Sequence, residues 1–493
     1  MLGTEILYTA AQTRALDHCA IVDHSIPGIT LMARAAEVAF DYLLEAWPAP
    51  TCLQVFCGTG NNGGDGFLMA DLAHKRGIEV VICQLGDADK ISGDALLARQ
   101  QALANGVKVV PFQGQALGTG GVIIDAMLGT GLGGDVRGSY SAAIDAINSS
   151  DAPVLAVDIP SGLCSDTGRV LGSAVRADLT VTFIGLKRGL FTLQAPDYAG
   201  AVQFSDLGVP PEVYAAVPAE CSRLELEPLL ERLSPRPATA HKGLYGTVLV
   251  VGGDYGMAGA AALAAEAALR CGAGLVQVAT RPEHVAALVA RTPESMPQGV
   301  NAQAEFAPLL ESADVLVVGP GLGQSSWSAQ LLQLALASGK PLVLDADALN
   351  LLAAEEVTGI SGAGLRVLTP HPGEAARMLN CTTAEVQADR FAAVRGLQMR
   401  YGGVVVLKGN GSLIFDGEDV ALSDYGNPGM ASGGMGDVLS GVIGALLAQH
   451  LSPVEAAALG VCLHGAAADL AAEEGQRGLI ASDLIPHMRF LLG

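Results

Sequence analysis

The chain has 493 residues, of which 50% are hydrophobic, 4% aromatic and 16% charged, and its formal net charge is −22 at pH 7. A chain of this length is too long for one hydrophobic core, so we expect two or three domains, and its composition excludes a disordered or fibrous protein. The acidic charge argues against a surface that binds nucleic acid or an anionic membrane.

Strands and helices alternate in the first half of the chain. A helical lead-in is expected over about residues 9–47, and later helices at 67–76 and 94–104. Six short β-branched runs are predicted as strands: 53–56, 79–84, 107–109, 122–125, 154–157 and 179–183. Such runs between amphipathic helices indicate a parallel sheet covered on both faces, as in a Rossmann-like doubly wound α/β domain.

The strand ends of this half carry glycine-rich and polar segments. The first strand runs into C-G-T-G-N-N-G-G-D-G (57–66), which differs from the dinucleotide fingerprint G-x-G-x-x-G because asparagines and an aspartate add side-chain oxygens. D-A-M-L-G-T-G-L-G-G-D (125–135) and D-I-P-S-G (158–162) follow two later strands. Ligands of doubly wound sheets bind at the carboxyl ends of strands near a topological switch, so we expect these segments to form one site.

Four oxygen-bearing side chains are expected to converge there, Asn62, Asp125, Asp158 and Ser161. Neutral and carboxylate oxygens without His or Cys suit a hard cation. The alternative is that the aspartates and the serine cap the turns after the strands. Lys187, one of only seven lysines, lies beside the last strand end, and both a site position and a solvated surface position are open for it.

A proline-rich seam interrupts the alternation between residues 207 and 242. Its prolines are Pro210, Pro211, Pro218, Pro228, Pro235 and Pro237. This break is the best candidate for a domain boundary. A second α/β unit follows, with a helix at 258–271 and strands at 247–251, 315–318, 341–344, 366–368 and 404–407.

The strand ends of the second unit are also polar or glycine-rich, at 252–260, 319–323, 369–374 and 408–412. His371 stands between two prolines, which stiffen its backbone and favour a ligand contact over the alternative of a structural histidine. Lys408 precedes glycines, a pattern suited to a nucleotide phosphate. It is not a Walker A loop, because no G-K-[ST] is present.

The segment G-N-P-G-M-A-S-G-G-M-G-D (426–437) carries the most specific chemistry. Five of its residues are glycines, and Asp437 opens an apolar helical run at 438–449. Free N–H groups at a helix start bind phosphate-like anions, and an aspartate fixed beside them can take a proton from a hydroxyl. The pattern predicts phosphoryl transfer to a hydroxyl; the alternative is that Asp437 only caps the helix.

Nine cysteines are scattered singly, with no C-x-x-C pair, and Cys52 and Cys57 share one predicted strand and its end. We therefore expect no metal site there. Scattered thiols are typical of a reducing cytosol. The sequence shows no signal-peptide pattern and no apolar run long enough to cross a bilayer, so we expect a cytoplasmic protein.

The motifs N-N-G-G-D-G, D-A-M-L-G-T-G-L-G-G and D-I-P-S-G resemble the epimerase domain of the NAD(P)H-hydrate repair enzymes. This family interconverts the R and S hydrates at the sixth carbon of the nicotinamide ring. The resemblance implies an epimerase domain at 1–206, potassium held by Asn62, Asp125 and Ser161, and Asp158 as the candidate for proton transfer. It also implies that the damaged cofactor is held by Asn61, Asn62, Gly63, Gly64, Asp65, Gly129, Thr130, Gly131, Leu132, Gly133, Gly134, Asp135, Tyr140 and Asp158.

The second unit resembles the ribokinase-like fold, and within it the ADP- or ATP-dependent NAD(P)H-hydrate dehydratases. This implies a linker at 207–240 and a dehydratase domain at 241–493, in the order found in the bifunctional bacterial form, whose dehydratase uses ADP. The hydrated cofactor would contact Ala258, Gly323, His371 and Asp437. The adenine nucleotide would be bound by Lys408, Gly409, Asn410, Gly411, Ser412 and Gly436.

The implied chemistry agrees with these residue types. Asp437 would deprotonate the hydroxyl of the hydrate for attack on the terminal phosphoryl group of ADP, because the phosphate ester is a better leaving group than hydroxide. The products are NADH or NADPH, AMP and phosphate. We expect magnesium with the nucleotide, without an assigned ligand, and small-molecule nucleotides as ligands. We also expect a homo-oligomer with no nucleic-acid or membrane partner.

Three other functions agree less well with these residues. A small-molecule kinase for a sugar or vitamin precursor would use the same glycine segment and aspartate, but the fused first unit with its own ligand site argues against it. A sensor without chemistry is disfavoured by the polar residues at 62, 125, 158 and 161. A nicotinamide dehydrogenase lacks its G-x-G-x-x-G turn with a following acidic residue.

Overall fold

The computed structural model describes residues 2–114, 121–357 and 365–493. The chain forms two compact units, an N-terminal unit at Ile6–Glu220 and a C-terminal unit at Cys221–Gly493 that also includes the first residues up to Glu5. The boundary after Glu220 lies within the segment expected as a linker, 207–240. That segment is structured, because it carries a helix, a strand and a second helix.

The first eight strands and seven helices of the described chain belong to the N-terminal unit, except that Glu5, the first residue of β1, is part of the C-terminal unit. They are β1 (Glu5–Leu7), α1 (Ala10–His18), α2 (Gly28–Ala46), β2 (Cys52–Cys57), α3 (Asn61–Lys75), β3 (Glu79–Gln84), α4 (Gly93–Ala104), β4 (Lys108–Pro111), β5 (Val122–Ala126), α5 (Ser139–Asn148), β6 (Val154–Val157), β7 (Leu179–Phe183), α6 (Pro196–Ala199), β8 (Ala201–Ser205) and α7 (Pro211–Ala216). A π-helix at Cys19–Asp23 follows α1.

Seven parallel strands of this unit form a sheet in the order β4-β3-β2-β5-β6-β7-β8. Successive residues of a strand face opposite sides. Val55 and Ile124 accordingly pack with the helices that include α2 and α3, whereas Phe56 and Ile123 pack with α5. The predicted doubly wound sheet is confirmed, and its topological switch lies between β2 and β5.

The C-terminal unit continues the chain from β9. Its elements are β9 (Cys221–Arg223), α8 (Leu226–Leu230), β10 (Thr247–Val251), α9 (Ala258–Arg270), β11 (Leu275–Thr280), α10 (Val285–Arg291), β12 (Met296–Gly299), α11 (Gln303–Ser312), β13 (Val315–Val318), α12 (Ser326–Ala337), β14 (Leu342–Leu344), α13 (Ala346–Ala353), β15 (Arg366–Leu368), α14 (Pro372–Leu379), α15 (Thr383–Ala388), α16 (Arg390–Tyr401), β16 (Val404–Leu407), β17 (Ser412–Phe415), β18 (Val420–Ser423), α17 (Met435–Ala448), α18 (Pro453–Ala472) and α19 (Ala481–Leu491).

The strands of this unit follow the order β9-β18-β17-β16-β15-β14-β13-β10-β11-β12. The strands from β16 to β12 are parallel, and β17 joins β16 and β18 in antiparallel pairs. One face of the sheet packs against α9, α17, α18 and α19. The carboxyl ends of β16, β15, β14, β13 and β10 therefore lie side by side along one edge.

Helix α18 is the one helix in the described part of the chain that is long and apolar enough to cross a bilayer. It is packed inside the C-terminal unit, since 78% of its apolar window is buried. Its alanines and glycines allow α17 and the sheet to approach closely. The apolar composition of α18 is thus explained by its place in the core.

Candidate active sites

In the N-terminal unit, Asn62 lies in the first turn of α3 and not in a loop, because the helix begins at Asn61. Its side chain is buried, and neither its oxygen nor its nitrogen has a hydrogen-bond partner. A β-carbon built on Gly129 would lie 3.5 Å from Asn62 Cβ and 3.8 Å from Asp158 Oδ2. The asparagine, the glycine segment and the aspartate from three different strand ends therefore meet.

Asp125 and Ser161 are in direct contact and are both fully buried. The Ser161 hydroxyl donates to Asp125 Oδ1 at 2.6 Å, and the Ser161 backbone N–H donates to Oδ2 at 2.7 Å. Burial raises the pKa of Asp125 to about 6. The serine thus hydrogen-bonds to a carboxylate that is shielded from water. Such an environment favours a nearby cation.

Asp158 follows β6 with φ of 69°, a left-handed conformation that is uncommon for a non-glycine residue. Lys187 is fully buried and donates hydrogen bonds to Asp158 Oδ1, to Thr182 Oγ1 at 2.9 Å and to the Phe183 carbonyl at 3.0 Å. The solvated surface position for Lys187 is therefore wrong, and the lysine belongs to the site.

Two further carboxylates interact with this pair. Partial burial and the nearby Asp158 raise the pKa values of Asp65, in the first turns of α3, and of Asp17, on α1. The pKa of Asp17 is raised to about 6. Sequence reasoning included Asp65 and missed Asp17, which sits in an ordinary amphipathic helix with no motif around it.

The glycine segment after β5 exposes its backbone. No atom lies within 4 Å of a β-carbon built on Gly131, Gly133 or Gly134, so a ligand can approach the main chain there. Tyr140, at the start of α5, is hydrogen-bonded to Thr59 in the turn after β2. The two glycine-rich strand ends are thereby brought to the same edge of the sheet.

In the C-terminal unit, Lys408 at the end of β16 reaches across to the end of β14. Its ammonium donates to Asp345 Oδ1 at 2.7 Å and lies 4.0 Å from Glu374 Oε2. Burial alone would lower the pKa of the Lys408 ammonium. The attraction of Asp345 and Glu374 is larger than this effect, so the pKa is raised. Asp345 is buried and also accepts a hydrogen bond from Thr369, and the sequence interpretation did not include it.

Asp437 is the third residue of α17, and Gly434, with φ of 94°, is the N-cap. No side chain makes a capping hydrogen bond at this helix start, so the capping role considered for Asp437 is not observed. Burial, with a smaller contribution from Asp345, raises the pKa of Asp437 to about 7. A β-carbon on Gly436 would lie 3.1 Å from Lys408 Nζ, which places the lysine ammonium at the helix N-terminus.

His371 is the N-cap of α14, and its Nδ1 accepts a hydrogen bond from the Gly373 N–H at 3.0 Å. Its Nε2 lies 3.4 Å from Glu374 Oε1. Burial and the nearby Lys408 lower the pKa of the imidazole, so the ring is neutral and carries its proton on Nε2. The structural and ligand-contact interpretations are compatible, because half of the side chain remains exposed.

Ala258 and Gly323 lie after the adjacent parallel strands β10 and β13. Gly323 has φ of 72° and its N–H donates to Asp347 Oδ2 at 2.8 Å. A β-carbon at this position would lie 2.8 Å from Asp254 Oδ2. Only glycine therefore fits beside Asp254.

Arg390 holds the backbone around the segment 408–412 by hydrogen bonds, a role that the sequence did not indicate. Its side chain is 2% exposed and donates to the carbonyls of Leu407 at 3.1 Å, Lys408 at 3.3 Å and Gly411 at 3.0 Å. Burial lowers the pKa of the guanidinium to about 10, so it stays charged at neutral pH. The segment after β16 is thus held by a buried cation.

Comparison with known proteins identifies both units. The family model for NAD(P)H-hydrate dehydratases matches residues 248–489, and the model for the YjeF-related protein N-terminus matches residues 28–189. The chain is 49% identical over 489 residues to the bifunctional NAD(P)H-hydrate repair enzyme of Coxiella burnetii, covering 99% of each. The chain belongs to the bifunctional NAD(P)H-hydrate repair enzyme family.

Solved structures agree with this membership for the C-terminal unit. The ADP/ATP-dependent NAD(P)H-hydrate dehydratase of Bacillus subtilis, co-crystallised with ATP and Mg²⁺, has a TM-score of 0.50 and 32% identity, covering 54% of this chain and 96% of that chain. A ribokinase-like superfamily protein of Enterococcus faecalis has a TM-score of 0.52 and 30% identity, covering 55% and 95%. The expected ribokinase-like fold is confirmed.

Membership in the repair-enzyme family also confirms the bifunctional activity expected from the sequence, an epimerase and an ADP-dependent dehydratase in one chain. It does not support the alternative of a sugar or vitamin-precursor kinase. The roles of single residues stay predictions. No group of three or more His, Cys, Asp or Glu side chains within residues 2–114, 121–357 and 365–493 is arranged to hold a metal ion.

Proposed function

We propose that the N-terminal site binds the hydrated cofactor between the backbone of 129–135, the start of α3 and Tyr140. Asp158 accepts and returns a proton while the R and S hydrates interconvert at the sixth ring carbon. The position of Asp158 Oδ2 supports this role, because Oδ2 lies on the side of Gly129 while Oδ1 accepts a hydrogen bond from Lys187. Exposed main-chain N–H groups of the glycine segment suit the pyrophosphate.

Potassium would be held in this site by oxygens of Asn62, Asp125 and Ser161. The unpartnered buried amide of Asn62 and the buried carboxylate of Asp125 fit a cation with oxygen ligands. When bound, potassium supplies a fixed positive charge near the pyrophosphate. A chain of net charge −22 needs such local help to hold a phosphate-rich ligand.

In the C-terminal site, Asp437 takes the proton of the hydroxyl on the S hydrate, and the oxygen attacks the terminal phosphoryl group of ADP. The ammonium of Lys408 and the N–H groups at the start of α17 balance the charge on the phosphoryl oxygens. AMP leaves, the ring nitrogen lone pair expels the new phosphate, and loss of a proton from the neighbouring ring carbon restores NADH or NADPH.

The observation that carries this proposal is the placement of a carboxylate of raised pKa near the Lys408 ammonium at a helix N-terminus. Magnesium accompanies the nucleotide, as in the Bacillus subtilis relative with ATP and Mg²⁺. It would neutralise phosphate charge, and no protein ligands are assigned to it.

The test is recovery of the reduced ring from a racemic hydrate. Purified protein is mixed with hydrate, ADP, Mg²⁺ and K⁺, and the absorbance of the dihydronicotinamide is followed. Full recovery supports both activities, and recovery of half shows that only the dehydratase works. No recovery with ADP or with ATP would contradict the proposal, and replacing K⁺ by choline tests the potassium assignment separately.

The dehydratase should depend on pH through Asp437. A general base works only when it is unprotonated, so kcat/KM for the S hydrate is expected to rise as pH increases through about 7, the pKa of Asp437. Initial rates between pH 5.5 and 8.5 (roughly the range that brackets this value) with saturating ADP measure it. A rate independent of pH over this range would exclude Asp437 as the base.

Arg390→Met is expected to raise the KM for ADP about tenfold and to lower the melting temperature, because three backbone carbonyls lose a hydrogen-bond donor and the segment 408–412 loosens. Dehydratase kinetics at varied ADP concentration and thermal melting measure the two effects. Arg489→Met removes an exposed arginine from the same unit and is the matched control. An unchanged KM would show that Arg390 only supports the fold.

We further propose a cytoplasmic homo-oligomer that binds small-molecule nucleotides and neither nucleic acid nor membrane. Nine cysteines scattered singly along the chain support the reducing compartment. An assembly would cover exposed apolar side chains of the C-terminal unit such as Met399, Ile480 and Phe490. Light scattering of the purified chain measures the mass in solution, and a monomer would contradict the proposed assembly.

A further inference from the structure

The buried ammonium of Lys187 is a feature of the N-terminal site that has no role of its own in the function proposed above. It comes from the segment after β7, is 0% exposed, and has its three hydrogen bonds to Asp158, Thr182 and Phe183. A lysine is rarely buried so completely unless its charge is paired. Its placement therefore needs an explanation in terms of Asp158.

The two oxygens of Asp158 have different surroundings. Oδ1 accepts from Lys187 and from the Thr182 hydroxyl, which is 3.3 Å away. Oδ2 lies on the side of Gly129, 3.8 Å from the position of a β-carbon on that glycine. The left-handed backbone at Asp158 is strained, so the surrounding contacts hold it in place.

Negative charges surround this lysine on several elements. Asp17 on α1 and Asp65 on α3 both interact with Asp158 and Lys187, and the lysine lowers the pKa values that burial has raised. Three carboxylates thus share one ammonium. Without the lysine, the cluster would bind protons more tightly.

Two tyrosines also lie near these residues. Tyr8 pairs with Lys187 through a single bridge of the main chain, and Tyr214 lies near Asp17. Burial raises the pKa of both phenols, so neither titrates near neutral pH. A change in the pH profile of this site between pH 5.5 and 8.5 (about the working range) therefore reports on the carboxylates.

We infer that Lys187 is a positioning residue of the epimerase, which holds Asp158 by a hydrogen bond to Oδ1 and leaves Oδ2 as the proton-accepting atom on the side of the substrate segment. The inference rests on the proposed role of the N-terminal site. Lys187 does not touch the substrate in this arrangement. It acts through Asp158, with the Thr182 hydroxyl as the second support of Oδ1.

The experiment compares wild type, Lys187→Met and Lys75→Met in the full chain. Pure R hydrate is converted without ADP, the S hydrate formed is measured by chromatography, and the uncatalysed rate is subtracted. Lys75 is an exposed lysine on α3 of the same unit and serves as the matched control. Dehydratase activity on the S hydrate with ADP measures the amount of folded C-terminal unit in each sample.

K187M is expected to lower the epimerase kcat about a hundredfold at pH 7. The acidic limb of its profile should move to higher pH by about one unit or more, since the cluster of carboxylates has lost its cation. Dehydratase activity should stay unchanged, and K75M should behave as wild type. Equal loss at every pH, or a wild-type rate, would overturn the inference.

Failure of the proposed function is a different result, because wild type itself would then not convert the R hydrate. If K187M does not fold, as shown by loss of the melting transition of the N-terminal unit, Thr182→Val tests the same support of Oδ1. The inference requires T182V to lower kcat about fivefold without shifting the pH profile. A wild-type rate in T182V would overturn it.

Discussion

Asp437→Asn is expected to abolish the ADP-dependent recovery of NADH from the S hydrate, with kcat lowered about a thousandfold or more. The substitution keeps the size of the side chain but removes the only group in the proposed mechanism that accepts the hydroxyl proton. The rise of dihydronicotinamide absorbance with pure S hydrate, ADP and Mg²⁺ measures the loss.

The two sites in one chain provide the control for this variant. Conversion of R to S hydrate should be unchanged in D437N, because Asp437 belongs to the C-terminal unit and the epimerase residues to the other. Glu474→Gln, an exposed acid-to-amide change in the C-terminal unit, should leave both activities at wild-type values. A D437N rate within about tenfold of wild type would assign proton transfer to another group.

The strands that could be predicted are the buried parallel ones. Runs such as Val154–Val157 and Val315–Val318 are bounded by turn residues and match the structure at both ends, because strands buried on both faces must be apolar throughout. The strands that were missed include the parallel β8 and β11, whose runs A-V-Q-F-S and L-V-Q-V-A-T are interrupted by a glutamine. β17 and β18 form an antiparallel pair, and β12 is four residues of M-P-Q-G, so none of them gives that signal.

The site was predicted where residues follow a strand in a glycine-rich context. Asp158 and Lys408 were singled out in this way, Asp125 at the end of a predicted strand, and Asp437 at the start of a helix after glycines. Asp17, Asp345 and Arg390 were not, because each acts on a partner far away in the sequence and stands in a segment without such a motif. Their contribution depends on which strand ends are neighbours, and only the sheet order supplies that information.

The two units share a physical device although their functions differ. In each, a lysine from one strand end pairs with a carboxylate from another, the buried Lys187 with Asp158 and the partly buried Lys408 with the buried Asp345. A strongly acidic protein that handles phosphate-rich ligands must keep cations inside its sites, and a buried pair is protected from screening by salt. The lysine of the first pair leaves an oxygen free beside a glycine segment, and that of the second reaches a helix N-terminus.

Asp158→Asn is expected to lower the epimerase kcat about a thousandfold, because an amide at this position cannot accept a proton. The substitution also leaves the buried Lys187 ammonium without its hydrogen-bonded carboxylate, which adds to the loss by disturbing the geometry of the site. The formation of S hydrate from pure R hydrate, followed without ADP, measures the effect.

The racemic assay separates this effect from general damage to the protein. With ADP present, D158N should recover half of the reduced cofactor at the wild-type rate and then stop, since the dehydratase consumes the S hydrate and the R hydrate is no longer converted. Adding wild-type protein after the plateau should restore the rest. Full recovery by D158N alone, at a rate above the uncatalysed interconversion, would show that a different residue of the cluster transfers the proton. Asp65 on α3, whose pKa is also raised, would then be the residue to replace.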